Sequence, residues 1–311
     1  MKKISIVIPI FNEEQIIPIL IERLQNIISK IKDYTFEVIF IDDGSIDDSV
    51  NIISSRLKDV EMNFLVKIIE LSRNFGHQAA VTCGIDNASG DALIMMDADL
   101  QDPPELIPDM IKSWEKGNHV VHCVKNSRNE PILKRMMFYL FYFFQNLLVK
   151  KNGPNSGIFS LTDRKVYSHL QLLTEKRRFI PGLRNWIGFK NGYVEFDRPD
   201  RIIGEPKVKF SSLVRLAFDA ILTFSKVPLK LILYFGFLIF SLSFLLIGFY
   251  FFKRFYIDQN VSFWLILLLT QTLLSGVILI SIGVLGEYLG IIFDEIKNRP
   301  SYIIKNESIA K

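Results

Sequence analysis

The sequence predicts an α/β fold with a mostly parallel, Rossmann-like sheet, followed by membrane helices. Three observations support this prediction. Short apolar runs such as 4–10 and 37–41 alternate with helical patterns over the first 116 residues. These runs are apolar on both faces, which is typical of parallel strands covered by helices on both sides. From residue 229 onwards, long apolar runs with almost no charge replace the alternating pattern.

The predicted elements of the first half follow one another in a regular alternation. The first strand, 4–10, precedes a helix with apolar positions up to Ile28 at helical spacing, and Asn12 is its N-cap candidate. Pro103 and Pro104 suit the start of the last helix, where a missing N–H costs nothing. The other predicted elements are strand 37–41, helix 47–57, strand 64–71, helix 77–88, strand 92–96 and helix 104–116.

Polar residues follow each of the first four predicted strands. Because the carboxyl ends of parallel strands meet at one edge of an open sheet, we expect these residues to converge there, where such sheets bind ligands. Any one of these turns is weak evidence, since Asp and Asn are common turn residues. The four groups are Asn12-Glu13-Glu14, Asp42-Asp43-Gly44-Ser45, Ser72-Arg73-Asn74 and Asp97-Ala98-Asp99-Leu100-Gln101-Asp102.

The last of these groups predicts a divalent metal site. Asp97 and Asp99 lie two residues apart, so at an extended strand end their side chains would point the same way. Mg²⁺ and Mn²⁺ are held by one or two carboxylates together with substrate phosphate oxygens. The alternative for this group is a solvated acidic loop that caps the helix at Pro104. For the group that begins at Asp42, the alternative to ligand binding is a turn with a helix cap.

Several classes of site are excluded. The net charge of +4 gives no case for nucleic-acid binding. Cys83 and Cys123 lack metal-ligand spacing, and there is neither a dinucleotide fingerprint nor a phosphate loop. His119 and His122 are interpreted as surface or packing residues. His77 is kept as a candidate because it lies in the turn beside the predicted site.

Two long apolar segments in the last hundred residues predict transmembrane helices. Residues 229–252 carry no charge, and in the run 263–293 the span itself is expected at about 263–285 with Glu287 at the interface. The short link Lys253 to Ser262 predicts an antiparallel hairpin. Lysines and arginines outside the hairpin place both termini in the cytoplasm, in a multi-pass membrane protein.

Two further segments are expected at the bilayer surface or in the core. Met136 to Val149 is apolar with basic flanks but too short to span, and Ser211 to Phe224 is amphipathic. The predicted organisation is therefore a cytosolic domain over 1–210, a juxtamembrane helix over 211–228, two spans within 229–293 and a cytosolic tail over 294–311.

The motifs taken together resemble family 2 glycosyltransferases, and more closely the polyprenyl-phosphate glycosyltransferases related to dolichyl-phosphate mannose synthase. The resemblance covers nearly the whole chain, and the loop motifs are specific when they occur in this order. The stretches that carry it are Pro9 to Glu14, Asp42 to Ser45, Ser72 to His77, Asp97 to Pro103, Arg177-Arg178-Phe179, Gly182-Leu183, Trp186 to Phe189, Arg201 to Lys207 and the two spans.

The resemblance implies a GT-A type domain that transfers a sugar, with inversion, from a nucleoside diphosphate sugar to a polyprenyl phosphate. It also implies that the protein lies in a bacterial cytoplasmic (inner) membrane. It implies Mg²⁺ or Mn²⁺ at Asp97, Asp99 and Gln101, with Asp97 and Asp99 also catalytic. The donor would be contacted by Pro9, Phe11, Glu13, Asp42, Arg73, His77 and Asp97. The phosphate-binding candidates are Arg128, Lys134, Arg164 and Arg201, and the alternative for Arg128, Lys134 and Arg201 is a positive face towards anionic lipid.

One segment departs from the family pattern. Many relatives carry Gly-Asp-Phe-Arg-Leu where this chain reads Gly157-Ile158-Phe159-Ser160-Leu161. The nearest charged pair is Asp163 and Arg164, so Asp163 is the remaining candidate for a catalytic base. A phosphate monoester has a second pKa of about 6 and is already mostly dianionic at pH 7. Such an acceptor needs positioning more than proton removal, so we expect an Asp163→Asn variant to stay active.

Two other functions stay open. A family 2 synthase with a sugar hydroxyl or glycolipid acceptor is disfavoured by the short chain, the two spans and the absence of a Gln-x-x-Arg-Trp type motif. A catalytically inactive nucleotide-sugar-binding membrane protein is disfavoured by the intact Asp97, Asp99 and Gln101 group. The sequence leaves open the sugar, the choice between UDP and GDP, and the oligomeric state, for which a tetramer through the hairpins is one option.

Overall fold

The computed structural model describes residues 1–59, 63–125, 156–176, 178–197, 227–256 and 263–310. These residues belong to two compact units. One unit holds the sheet with its helices and includes the chain from Pro300 onwards, and the other holds the two long apolar helices.

The described part of the chain alternates strands and helices as far as Phe196 and ends in two long helices and a strand. The strands are β1 (Lys2–Ile10), β2 (Tyr34–Asp42), β3 (Leu65–Leu71), β4 (Ala92–Met95), β5 (Val120–Lys125), β6 (Ser156–Asp163), β7 (Asn191–Phe196) and β8 (Ile304–Ala310). The helices are α1 (Ile17–Ile28), α2 (Ser49–Asp59), α3 (His77–Asn87), α4 (Ile107–Glu115), α5 (Arg164–Leu172), α6 (Ile180–Ile187), α7 (Val227–Tyr256) and α8 (Phe263–Ile296), and a 3-10 turn (Pro104–Leu106) precedes α4.

The strands form one mixed sheet in the order β7-β5-β6-β4-β1-β2-β3-β8. Strands β1 to β4 are parallel to one another where they pair, as predicted. β6 runs antiparallel to both β4 and β5, and β8 runs antiparallel to β3. The predicted α/β class is confirmed. The strands after residue 116 and the C-terminal strand are additions that the sequence analysis did not predict.

Helices cover the central strands on both faces. On one face Ile4, Ile6 and Ile8 of β1 are 0% exposed and share a core with α1 and α4. Each such side chain contributes roughly 1.5–3 kcal/mol when it is buried. On the other face α3 contacts β1 so closely that a Cβ at Gly84 would lie 2.1 Å from Val7 Cγ1. This two-sided burial explains why β1 is apolar at nearly every position.

The start of the first helix differs from the prediction. The N-cap position is Ile16, and α1 begins at Ile17 with a proline in its first turn. Asn12 lies four residues earlier, with a left-handed backbone φ of 54°. Its side-chain oxygen accepts a hydrogen bond from the Ile46 N–H, so tertiary contacts with the neighbouring loop use the group that was expected to cap the helix.

Both segments predicted as spans are helical, within α7 and α8. Of the described residues, one stretch, Leu273–Ile296, is long and apolar enough to cross a membrane by length and composition. It lies further along the chain than the predicted span 263–285 and includes Glu287. The predicted interfacial segments Met136 to Val149 and Ser211 to Phe224 lie outside the described residues.

The C-terminal tail is part of the sheet. After α8 the chain forms β8, which pairs with β3 from Val66↔Ala310 to Leu71↔Ile304. The sequence pattern predicted only a tail here. Its residues Ile304 to Ala310 mix polar and apolar side chains, and at the sheet edge most of these side chains stay exposed. The backbone ladder therefore decides this element more than apolar burial does.

Candidate functional site

The sheet has a topological switch point between β1 and β4. β2 and β3 lie on one side of β1, whereas β4 lies on the other. The ladder between β1 and β4 ends at Val7↔Met95, whereas β1 continues beside β2 as far as Ile10↔Asp42. The ends of β1 and β4 therefore separate at the carboxyl edge of the sheet. Open α/β sheets bind ligands in a crevice of this kind.

Hydrogen bonds join the loops after β1 and β2. The Asn12 N–H donates to Ser45 Oγ at 2.9 Å, and the Glu13 N–H donates to Ser49 Oγ at 3.0 Å. In the opposite direction the Ile46 N–H donates to Asn12 Oδ1 at 2.9 Å. The two loops thus satisfy each other's backbone donors and form one wall of the crevice.

Two of the predicted donor contacts, Pro9 and Phe11, lie at the end of β1. Pro9 is buried and pairs with Ile41 beyond the last residue of β4. At that level β1 has a neighbour on one side only, so a proline is tolerated in an otherwise central strand. Phe11 is 37% exposed and follows the strand at the rim of the crevice.

Two buried aspartates end β2. Asp42 is 4% exposed, and its carboxylate accepts the Ser45 N–H at 3.2 Å. Burial raises the pKa of Asp42, although the bonds from Ser45 oppose that effect. Asp43 is 3% exposed and accepts the N–H groups of Phe75 and Gly76 at 2.7 and 2.9 Å. Asp43 was not singled out from the sequence, and it fixes the loop after β3.

The loop after β3 approaches the loop after β2 very closely. Gly44 has a φ of +71°, and a Cβ there would lie 2.6 Å from the carbonyl carbon of Arg73 and 2.7 Å from the Asn74 nitrogen. Only glycine fits this position without moving backbone. The Arg73 side chain stacks over the ring of Phe75, with Cζ 4.0 Å from the centroid.

His77 links this loop to the acidic group after β4. Its Nε2 lies 2.8 Å from Asp97 Oδ1, and both side chains are partly exposed, His77 at 46% and Asp97 at 38%. Burial lowers the pKa of His77, but the hydrogen bond and charge of Asp97, with the charges of Asp43 and Asp102, outweigh it and raise the pKa. The pair therefore joins the carboxyl ends of β3 and β4 by a charge-assisted contact.

The acidic group after β4 is a tight turn, so Asp97 and Asp99 do not continue one extended strand as expected. β4 ends at Met95 and the chain turns at Ala98 and Asp99. Buried Leu100 has a left-handed φ of 58°. Asp99 is 8% exposed and its Oδ1 accepts the Gln101 N–H at 3.1 Å. Asp102 accepts a hydrogen bond from the Asp97 N–H at 3.2 Å, which closes the turn.

The group fits a metal ion whose coordination the substrate completes. Within the described ranges no three His, Cys, Asp or Glu side chains are grouped as a complete protein cage. Asp97 and Asp99 nevertheless both lie in the turn that follows β4, with Gln101 in the same turn. One or two carboxylates plus phosphate oxygens is the usual arrangement for Mg²⁺.

Asp163 and Arg164 are not brought together with the other predicted residues. Asp163 pairs with Ala92, at the opposite end of β4 from Asp97. Its carboxylate caps α5 by accepting the Lys165 N–H at 2.8 Å, and it accepts the indole N–H of Trp114 at 2.6 Å. The Arg164 guanidinium donates to the Ser89 carbonyl at 3.2 Å, also at that end of the sheet.

The segment that departs from the family pattern is held by a buried arginine, which the sequence analysis missed. Arg184 of α6 is 1% exposed and donates to the carbonyls of Gly157 and Ile158, at 3.0 and 3.4 Å, and to Ser160 Oγ. Burial lowers the pKa of Arg184 to about 10. It therefore stays charged at neutral pH beside the start of β6. The basic candidates Arg128, Lys134 and Arg201 lie outside the described residues.

Arg184 also fixes the state of a buried histidine. Its guanidinium donates to His122 Nδ1 at 3.2 Å, while His122 Nε2 lies 3.3 Å from Asn191 Oδ1. Burial, together with the Arg184 charge, lowers the pKa of His122 to about 3. His122 is therefore neutral, accepts at Nδ1 and donates at Nε2. It is a packing residue, as the sequence suggested.

Comparison with known proteins gives a consistent result. The family model described as glycosyl transferase family 2 matches residues 5–171. The chain is 41% identical over 304 residues to the uncharacterized glycosyltransferase YkcC of Bacillus subtilis (strain 168), covering 97% of this chain and 93% of that protein. It is 38% identical over 307 residues to the bactoprenol glucosyl transferase of Shigella phage SfV, covering 98% and 99%.

Among solved structures, similarity is lower. Glucosyl-3-phosphoglycerate synthase from Mycobacterium tuberculosis, in complex with phosphoglyceric acid, aligns with a TM-score of 0.48 and 18% identity, covering 72% of this chain and 80% of that chain. The mannosyltransferase PcManGT from Pyrobaculum calidifontis, in complex with GDP-Man and Mn²⁺, aligns with a TM-score of 0.42 and 16% identity, covering 65% and 58%.

Proposed function

Because the chain belongs to the family 2 glycosyltransferases, we propose that it transfers a sugar from a nucleoside diphosphate sugar to a membrane polyprenyl phosphate. The product would be a polyprenyl-phosphate sugar, formed with inversion at the sugar carbon and used as a donor for surface glycan modification. UDP is the expected nucleotide. The relative from Shigella phage SfV, which is similar over almost the whole chain, carries bactoprenol glucosyl transferase as its name.

The observation that carries the proposal is the convergence of acidic and polar groups at the switch point. Asp42, His77, Asp97 and Asp99 lie at or just after the ends of three strands, β2, β3 and β4. Hydrogen bonds connect the three loops that carry them. Asp43 accepts the N–H groups of Phe75 and Gly76, and His77 contacts Asp97. In this proposal Asp97 and Asp99 would hold a metal ion beside the diphosphate, and Arg73 and His77 would supply positive charge.

The residues predicted to bind the donor and the metal take separate roles in this proposal. Asp97, Asp99 and Gln101 would hold the metal ion, which when bound would neutralise the charge of the departing diphosphate. Asp42 would contact the nucleoside, and His77 would orient Asp97. Contacts of the donor with the loops after β1 and β3 would come from Pro9, Phe11, Glu13 and Arg73.

The acceptor chemistry is compatible with the absence of an aspartate at residue 158. The second pKa of a phosphate monoester is about 6, so the acceptor oxygen is already ionised at pH 7. The protein then has to align the acceptor with the sugar carbon and exclude water, rather than remove a proton. A sugar hydroxyl acceptor would need a base near the attacking oxygen. The contacts of Asp163 with α5 and Trp114 favour the phosphate acceptor.

We also propose that both α7 and α8 cross the membrane, so that the protein is multi-pass. β8 follows α8 and pairs with β3, which precedes α7. A sheet lies on one side of a bilayer, so a chain that leaves it through one span must return through another. α7 has 30 residues. A helix of that length extends about 45 Å, more than a hydrocarbon core of about 30 Å.

The rest of the predicted organisation is retained as part of the proposal. It comprises a cytosolic domain over 1–210, a juxtamembrane helix over 211–228, the spans within 229–293 and both termini in the cytoplasm. Because β8 pairs with β3, the segment from Pro300 onwards returns to the catalytic domain and is not a free tail. A homo-oligomer such as a tetramer remains part of the proposal that needs a separate measurement.

The decisive experiment uses membranes that contain the protein, radiolabelled UDP-sugars and added undecaprenyl phosphate, with label counted in the organic phase. We expect one sugar to give lipid label that is labile to mild acid, requires a divalent metal and disappears with Asp99→Ala. Asp109→Ala, an exposed aspartate on α4, serves as the matched control and should keep full activity. If every UDP- and GDP-sugar leaves the lipid unlabelled while one still binds, the polyprenyl-phosphate proposal is wrong.

A further inference from the structure

The C-terminal strand reaches the loop that carries the candidate donor contacts. β8 pairs with β3 up to Leu71↔Ile304, with an irregular register between Glu70 and Leu71. One residue further on, the Ser72 N–H donates to the Ile303 carbonyl at 2.9 Å. The tail therefore continues the ladder past the end of β3 and into the first residue of the loop 72–77.

Side chains of the same segment attach it to α3 and β3. The Tyr302 hydroxyl donates to Asp86 Oδ2 at 2.9 Å, near the C-terminal end of α3. Lys67 and Glu307 form an ion pair at 2.8 Å along the strands. Tyr302 is the residue next to Ile303, whose carbonyl binds the loop, whereas Glu307 lies further along β8.

The loop 72–77 is thus held at three points. Ile303 holds its first residue, Asp43 holds the N–H groups of Phe75 and Gly76, and His77 contacts Asp97. His77 is also the first residue of α3, and Tyr302 anchors the other end of that helix. The segment after α8 therefore contacts both the loop and the helix that place His77.

We propose that Pro300–Ala310 is a positioning element of the donor site, in which Tyr302 and the Ile303 carbonyl keep the loop 72–77 in its donor-binding conformation. The inference rests on the proposed function for its effect on donor binding. It links the end of the last apolar helix to the candidate site through backbone and side-chain bonds. The tail acts through the loop and touches no substrate.

The test uses full-length protein in detergent, with Tyr302→Phe and Asp86→Ala, singly and together. Glu307→Gln is the matched control, because it breaks a contact of the same strand away from the loop. Hydrogen exchange reports the amides of residues 72–77. Binding of UDP in the presence of MnCl₂ and the kinetics with UDP-glucose and undecaprenyl phosphate report the site.

We expect Tyr302→Phe to speed exchange of amides 72–77 roughly tenfold, since a hydrogen bond to a charged acceptor is lost from a locally opening unit. UDP should bind several-fold more weakly and the donor KM should rise, with kcat and the melting temperature little changed. The double variant should be no worse than either single variant, because both remove one bond. Glu307→Gln should leave the loop and UDP binding unchanged.

Unchanged exchange of amides 72–77 in Tyr302→Phe, and also in a chain that ends before Pro300, would overturn the inference. The inference would also be overturned if the loss of UDP binding came together with a clear fall in both kcat and the melting temperature, because that combination indicates general destabilisation. The exchange measurement needs no transfer activity. A wild-type protein that labels no lipid would therefore refute the proposed function without deciding whether the tail positions the loop.

Discussion

Asp99 and Asp163 show how much the surroundings decide the role of a residue type. Both are aspartates that follow or end a strand of the same sheet. Asp99 lies in the turn after β4 at the switch point, whereas Asp163 pairs with Ala92 at the other end of that strand. The two carboxylate oxygens of Asp163 accept hydrogen bonds from the Lys165 N–H and the Trp114 indole N–H. From spacing alone the two carboxylates could not be told apart.

We expect Asp163→Asn to keep most of the transfer activity, because asparagine still caps a helix and still accepts a hydrogen bond. Asp163→Ala should lower the free energy of unfolding by about 1 kcal/mol through loss of the cap, with little change in kcat per folded molecule. Lipid labelling and thermal unfolding measured on the same preparations test this. A loss of labelling by Asp163→Asn as deep as that of Asp99→Ala would contradict it.

At the level of loops and strands, the candidate site depends on contacts between connections rather than on any one of them. Gly44 in the loop after β2 faces the backbone of Arg73 and Asn74, and Asp43 beside it binds the N–H groups of the same loop. The left-handed φ values of Asn12 and Leu100 lie in the two loops that flank the switch point. Such conformations persist only where surrounding contacts enforce them.

Gly44→Ala should displace the loop after β3, because the new methyl group would lie within 3 Å of two backbone atoms. We expect UDP to bind at least tenfold more weakly, with a destabilisation of roughly 1–3 kcal/mol from the strained φ and the clash. Calorimetric titration with UDP and MnCl₂ measures the first effect. Gly117→Ala, also at positive φ but with open space around its Cβ position, controls for backbone strain and should leave UDP binding unchanged.

A further prediction at this scale concerns the amino edge of the sheet. There Glu37 joins β2 to β1 and to the turn before β4. Its carboxylate is 3% exposed, contacts Lys3 Nζ at 2.5 Å and accepts hydrogen bonds from Ser5 and Ser89. Burial alone would raise the pKa of Glu37, but the bonds from Lys3, Ser5 and Ser89 outweigh it and lower the pKa. A carboxyl group with a depressed pKa stabilises the fold at pH values above its unfolded pKa of about 4.3. This stabilisation is lost as the pH falls through the pKa of the folded state.

We therefore expect Glu37→Gln to melt at a lower temperature than the wild type at pH 7. The difference should shrink as the pH falls from about 5 towards 3, through the window below the ordinary carboxyl pKa. Melting of the detergent-solubilised protein across this pH range provides the measurement. Two curves that stay parallel down to pH 3 would show that Glu37 does not carry this dependence.

For the whole molecule, the pairing of β8 with β3 constrains the path that we propose for the chain through a membrane. The sheet contains strands that precede α7 and a strand that follows α8. An odd number of crossings would leave β8 on the wrong side of the bilayer. Among the described residues, one stretch, Leu273–Ile296, meets the length and composition test. In the proposed topology, this span requires a partner.

A cysteine-labelling experiment tests this topology. Cys83 and Cys123 are buried in the sheet domain, so cysteines introduced at Lys253 and Lys305 can be labelled against a low background. A membrane-impermeant maleimide should label Lys253→Cys, at the end of α7, in intact cells. It should label Lys305→Cys, in β8, only after the membrane is permeabilised. Labelling of both positions from the same side would exclude the two-span path.

The sequence by itself determined the elements that depend on local patterns. The apolar runs of β1 to β4, the helices between them and the polar groups at the strand ends were readable because burial on both faces leaves a continuous apolar signature. The order of the loop motifs also sufficed to identify the family. The long apolar helices were readable for the same reason, since a bilayer requires an uninterrupted apolar stretch.

The tertiary structure decided what depends on pairing between distant residues. β8 carries no strong apolar pattern, so only its ladder with β3 reveals that the tail belongs to the sheet. Asn12 does not cap α1, because its side-chain oxygen accepts a hydrogen bond from the backbone N–H of Ile46, which is distant in sequence. Arg184 looks like an ordinary helix residue until its contacts with Gly157 and Ile158 are seen. Such roles arise from hydrogen bonds made only in the folded chain, which local spacing does not encode.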